Sequence, residues 1–100
     1  MADWQKMSLV EQLGNVGGEV HRALKWRDRD QKLYWNSLGR AFDLLDRSIN
    51  DERWSGRRKE LVRARELLGD TATGGREYNT SLEELDDYFL EFATAARLNR

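Results

Sequence analysis

The chain has no proline, no cysteine and a single histidine, His21. Ordinary usage would place about five prolines in 100 residues, and proline is the residue that helix interiors exclude. Its absence predicts long, uninterrupted helices. Without cysteine there can be no disulfide, no thiolate metal site and no cysteine nucleophile, a composition that fits a reducing cytosol. His21 stands outside any Glu-x-x-His spacing of the di-iron bundle type and reads as a helix-surface or interface residue. Long apolar runs are missing too. The opening MADWQKMSLVEQLG has no signal-peptide core and nothing later reaches the length of a membrane span, so a cytoplasmic chain with no membrane contact is expected. Gly74-Gly75-Arg76 lacks the Gly-Lys-Ser/Thr ending of a phosphate loop and follows no apolar strand, so it reads as a connector, and no cofactor is expected. Net charge is only −1, which makes no overall electrostatic case for nucleic acid or anionic membrane.

What is present is enough to build a core. Hydrophobic residues make up 39% of the chain, charged residues 35%, and ten residues are aromatic, the balance of one globular domain over residues 1–100. Leu9, Leu13, Val16, Val20 and Leu24 are spaced by fours and threes on one helical stripe, predicting a first helix over about 8–26. Ser8 with Glu11 has capping-box spacing, and Asp3 is a second possible cap. After the turn Arg27-Asp28-Arg29-Asp30, a second stripe runs through Trp35, Leu38, Phe42, Leu45 and Ile49, with Asp30 as its N-cap. Tyr34, Ala41 and Ser48 widen this stripe, which places the second helix centrally. A third helix begins between Asp51 and Gly56, carries Leu61, Val62, Ala64, Leu67 and Leu68, and stops at Gly69. A loop with Gly74-Gly75 leads to a fourth helix, begun by the capping boxes Ser81/Glu84 and Thr80/Glu83 and carrying Leu82, Leu85, Phe89, Phe92 and Ala96. Tyr88, Leu90, Ala93 and Ala95 give this helix a broad apolar surface. The fold class predicted is all-α, a four-helix up-down bundle that self-associates.

Three constellations bear on function. Gly14, Gly17 and Gly18 lie inside the first helix, where each glycine costs about 1 kcal/mol relative to alanine. Something must compensate: close approach by another helix of the same chain, a subunit interface, or a ligand-contacting strip. Four tryptophans, at positions 4, 26, 35 and 54, suit cores and contact surfaces alike. Trp35 reads as core, whereas Trp26 and Trp54 read as covers for the bundle ends. Charge is segregated. Residues 53–69 carry Arg53, Arg57, Arg58, Lys59, Arg63 and Arg65 against Glu60 and Glu66, whereas residues 80–96 carry five acids and no base. The third and fourth helices can therefore pair within one chain or between chains. Arg57, Arg58, Lys59, Arg63 and Arg65 are also candidate nucleic-acid contacts, since arginine suits bidentate phosphate binding. No RNP or zinc-finger signature accompanies them.

For catalysis the pattern to consider is Asp43-x-x-Asp46 with Glu84-x-x-Asp87, two acid pairs that could hold magnesium if they faced each other. All-helical nucleotide pyrophosphohydrolases use acid pairs of this kind, but with a Glu-x-x-Glu and a nearby lysine that this chain does not reproduce.

The segments Gly18-Glu19-Val20 through Ala23-Leu24-Lys25-Trp26, Arg40-Ala41-Phe42-Asp43-Leu44-Leu45-Asp46, Lys59-Glu60-Leu61-Val62-Arg63-Ala64-Arg65-Glu66 and Tyr88-Phe89-Leu90-Glu91-Phe92-Ala93 resemble those of short uncharacterised bacterial helical proteins. In architecture and in its glycine-containing helix the chain is more loosely similar to the bundle proteins encoded within bacterial 23S ribosomal RNA intervening sequences. That likeness implies an oligomeric helical bundle with RNA affinity.

The sequence thus reads as a protein-interaction or assembly module rather than an enzyme, with no catalytic residue and no metal. It is expected to form a homo-oligomer or take a protein partner through Gly14, Gly17, Gly18, His21, Tyr88 and Leu90. An RNA- or DNA-binding accessory protein is the alternative, and a metal-dependent nucleotide hydrolase the second alternative.

Overall fold

The structure, a computed structural model, describes residues 3–74 and 77–98. Four helices, α1 (Leu9–Trp26), α2 (Gln31–Ile49), α3 (Arg58–Ala72) and α4 (Leu82–Leu98), form an all-α four-helix bundle, and no strand occurs among the described residues. Short 3-10 turns at Trp4–Lys6 and Glu52–Arg57 precede α1 and α3. Among the described residues no helix is long and apolar enough to cross a membrane.

Capping chemistry sets the helix starts. The Ser8 hydroxyl accepts from Glu11 N while the Glu11 carboxylate accepts from Ser8 N, a reciprocal box that satisfies two otherwise orphaned amides. The Asp30 carboxylate accepts from Leu33 N, and Ser81 and Glu84 repeat the box at α4. Asp3 caps the first 3-10 turn rather than extending α1 backwards. Neighbours run antiparallel, as the cross-contacts show: Gln12 with Ser48 and Glu19 with Arg40 join α1 to α2, while His21 with Asp86 and Arg27 with Glu83 join α1 to α4.

Three expectations are corrected. The central helix is α1, not α2: α1 packs along both α2 and α4, whereas α3 lies more lightly on α2 and α4. The flanks that α1 turns to its neighbours are Gln12 and Glu19 on one side and Gly17 on the other, all buried. Trp35 is not core. The inward repeat of α2 is Tyr34, Leu38, Ala41, Leu45 and Ser48, which leaves Trp35 half exposed at 50% with its ring edge-on to Tyr34 at 5.0 Å. Small side chains at Ser37, Ala41 and Ser48 let α2 lie close against α1, a space that an indole would not enter. Finally, α3 begins later, at Arg58, and runs through Gly69 to Ala72. The Thr71 hydroxyl donates to Leu67 O and the Thr73 hydroxyl to Gly69 O, covering terminal carbonyls. The left-handed glycine that follows is Gly74, at φ 117°. Gly75 and Arg76, which the sequence places in the connector, lie outside the described residues. The Asp70 carboxylate accepts from Glu77 N and Tyr78 N, which ties the chain after the loop to the end of α3.

Core packing follows the remaining stripes. Leu13, Val16 and Val20 of α1, Leu38 and Leu45 of α2, Leu61 and Leu68 of α3 and Phe89 of α4 are fully buried. Burial of each such side chain contributes about 1.5–3 kcal/mol. Trp26 and Trp54 pack on the rim of this core, as expected of end covers.

Candidate functional site

The three glycines of α1 separate into two roles. A Cβ on Gly17 would stand 2.7 Å from Phe89 Cβ, and one on Gly14 would stand 3.1 Å from Ala93 Cα. Both glycines therefore answer to α4 of the same chain: Phe89 leaves no room for a Cβ at Gly17, and the Ala93 backbone would crowd one at Gly14. A Cβ on Gly18 would meet nothing within 4 Å. It opens onto a shallow groove of about 240 Å³ between α1 and α4, bounded by Gly14, Gly17, Gly18 and His21 on one side and by Asp86, Phe89, Leu90 and Ala93 on the other. The His21 Nδ1 lies 3.2 Å from Asp86 Oδ1 across the end of this groove. Leu90 stands beside it, 52% exposed.

Of the candidate interface residues, then, Gly18, His21 and Leu90 face outward together, and Gly14 and Gly17 form the floor. Tyr88 is not part of this face. It turns toward α3, with its ring edge-on to Phe89 and Phe92 at 5.1 and 5.3 Å and its hydroxyl 3.4 Å from Glu60 Oε1. Burial in this seam, reinforced by the Glu60 charge, pushes the Tyr88 phenol above its ordinary pKa.

The basic helix is largely committed to its own chain. Arg65 reaches α2, donating to Asp46 at 2.5 Å and covering the Phe42 ring at 5.2 Å. Arg58 donates to Ile49 O at the end of α2, 2.9 Å away, which suits a cation at a helix C-terminus. Arg57 pairs with Glu60 at 2.9 Å. Arg63 lies over the Tyr78 ring at 4.3 Å and 3.8 Å from Glu66. Of the five, Arg58 and Lys59 form no ion pair among the described residues.

The acids of α4 look elsewhere than α3. Glu83 takes both terminal nitrogens of Arg27, at 3.1 and 2.8 Å, Asp86 takes His21, and Glu84 caps its own helix. The two helices thus do not neutralise one another within the chain. The acid pairs do not assemble either: α1 lies between α2 and α4, Asp46 is engaged by Arg65, and among the described residues no group of three or more His, Asp or Glu side chains is close enough to hold a metal ion.

Two buried polar groups of α1 escaped the sequence reading. Gln12, fully buried, donates to Trp4 O at 2.9 Å and accepts from the Ser48 hydroxyl at 2.7 Å and from Trp54 Nε1 at 2.9 Å. Glu19, 7% exposed, receives Arg40 Nε at 2.7 Å and is also paired with Arg22. Both belong to the packing of α1 rather than to a reaction site. The only trace of them in the sequence is a polar residue next to an apolar stripe position, which by itself reads as exposed. Comparison of the chain with protein-family models, with curated proteins and with solved structures finds no match.

Two carboxylates are shifted strongly. Two Arg27 hydrogen bonds hold Glu83 down to about 2, and Arg53 holds Asp51 down to about 2, helped by the Arg53 amide and Gln12. A carboxylate with a lowered folded pKa adds stability above its ordinary value, and that stability is lost as pH falls through the folded value. The thermal midpoint is therefore expected to fall as pH drops from about 4.5 toward 2. Because Glu83 is exposed, salt should flatten its part of the decline. Glu83→Gln should remove its own part of the slope, as thermal unfolding followed by circular dichroism across this range would record. A slope in this range unaltered by that substitution would contradict the assignment.

Proposed function

We propose that this protein is a self-assembling helical module whose association face is the α1–α4 groove with Leu90 at its edge. The observation that carries the reading is the placement of a half-exposed leucine beside an apolar recess that no side chain among the described residues fills, opposite the vacant Cβ position of Gly18. A lone exposed leucine is ordinary on any surface, but one adjoining an apolar recess offers both a projection and a receptacle for a partner. His21 and Asp86 at the groove's end add a polar rim of the kind that gives such faces register. The cysteine-free composition supports a cytoplasmic setting for the module.

The reading is tested by putting charge on the projection and bulk in the recess. Light scattering should give wild-type protein a mass above the 11.7 kDa of one chain at micromolar concentration. Leu90→Glu and Gly18→Leu should each weaken association at least about tenfold, roughly 1.4 kcal/mol, with helix content by circular dichroism unchanged. If both variants associate as tightly as wild type, another face is responsible and the proposal fails.

A further inference from the structure

We infer that the partner docking on the outer face of α4 is a second copy of this chain, presenting the outer face of its α3, so that copies join head to tail. The inference rests on the self-assembly reading above and names the occupant of that face. Its basis is a pair of matching surface triplets. On α4, Asp87, Leu90 and Glu91 lie at i, i+3 and i+4, one exposed aliphatic residue between two exposed carboxylates. On α3, Lys59, Val62 and Arg63 lie at the same spacing, with Val62 37% exposed between two exposed cations. Residues three and four apart share one face of a helix, so each triplet is a compact patch, and the two are opposite in charge with an apolar centre in common.

Within one chain the triplets stay apart. Asp87 and Glu91 form no ion pair among the described residues, and neither does Lys59, while Arg63, stacked over Tyr78, has as its ion pair there only the 3.8 Å contact with Glu66. The α3–α4 contact runs instead through Tyr88 and Glu60, on the side of α4 away from the α1–α4 groove. The α3 patch also borders its own recess of about 620 Å³, where three cations, Arg58, Lys59 and Arg63, outnumber the single acid Glu66 around Val62. Since the two faces differ, a docked pair leaves one face of each kind unused, and the assembly is an open chain or a ring rather than a closed two-fold pair.

The test is a charge exchange in the full chain. Lys59→Glu/Arg63→Glu and Asp87→Lys/Glu91→Lys should each be monomeric by sedimentation velocity at micromolar concentration, the association weakened at least about tenfold. An equimolar mixture should reassemble, because both contacts between unlike copies are again of opposite sign. One chain carrying all four substitutions should also assemble, which separates loss of contact from loss of folding. Wild-type association should weaken as salt is raised. If wild type assembles but the variants remain assembled, or their mixture stays monomeric, the head-to-tail contact is wrong while self-assembly stands. A wild type that is monomeric throughout overturns both. A monomeric wild type that retards a labelled mixed-sequence RNA at low salt, an effect lost in Lys59→Glu/Arg63→Glu, overturns them in favour of nucleic acid on α3.

Discussion

Gln12→Leu is expected to lower the unfolding free energy by about 3 kcal/mol, although leucine is apolar, similar in size and a good helix former. The loss comes from what the substitution leaves behind. The Ser48 hydroxyl, fully buried, loses its acceptor, Trp54 Nε1 loses its acceptor, and Trp4 O loses a donor. Each stranded group costs about 1–3 kcal/mol where water cannot replace the partner, offset in part by the apolar side chain. This corner already holds one buried donor without a partner, Trp4 Nε1, so it has little spare hydrogen-bonding capacity. Ser48→Ala should cost only about 1 kcal/mol, because Gln12 keeps Trp54 and Trp4. The double variant should cost less than the sum of the two, since removing both ends of a buried hydrogen bond leaves fewer orphans. Urea unfolding followed by tryptophan fluorescence and by circular dichroism measures all three. A loss below about 1 kcal/mol for Gln12→Leu would show that the network contributes little.

Adjacent alanines in α1 should act with opposite sign. In a helix interior alanine is favoured over glycine by about 1 kcal/mol. At Gly18 the new methyl group meets nothing, so Gly18→Ala should raise stability by about 0.5–1 kcal/mol. At Gly17 it would meet Phe89 Cβ at 2.7 Å and the Phe89 backbone at 3.3 Å. Truncating Phe89 to alanine does not clear that Cβ, so α1 and α4 must move apart, and overpacking of this kind costs about 1–3 kcal/mol. Gly17→Ala is thus expected to be a net loss despite the better helix former. Thermal unfolding of the two variants side by side decides the matter, and a stabilised Gly17→Ala would mean that the helices are not in close contact there.

The starts of α1, α2 and α4 were legible because capping is local: Ser8, Asp30 and Ser81 each act on an amide three residues away, whereas α3 has no side-chain cap at Arg57 and begins later than expected. The bundle class was legible from apolar spacing and the lack of proline. The packing centre was not, because α1 meets α2 and α4 through glycine, glutamine and glutamate, which do not register as an apolar face. Trp35 was misplaced for a related reason, since hydrophobicity ranks an indole above Ser37 and Ala41, while the gap beside α1 selects for size. The end of α3 depended on threonine hydroxyls and Asp70 rather than on Gly69. Of the candidate interface, Gly18, His21 and Leu90 converge, but the opposite turning of Tyr88 could be seen only once α3 was placed beside α4. The division of arginines between Asp46, Ile49 O, Glu60 and Tyr78 was likewise beyond a charge count.

The basic and acidic helices thus retain unmatched charge around Val62 and Leu90 after the chain has satisfied its internal needs, and the account assigns that residue of surface to copies of the same chain. Sedimentation equilibrium of the wild-type protein over a micromolar concentration series measures this most directly. The average mass should climb above 11.7 kDa with concentration and fall back toward it in high salt. A mass of one chain at every concentration and salt would contradict it.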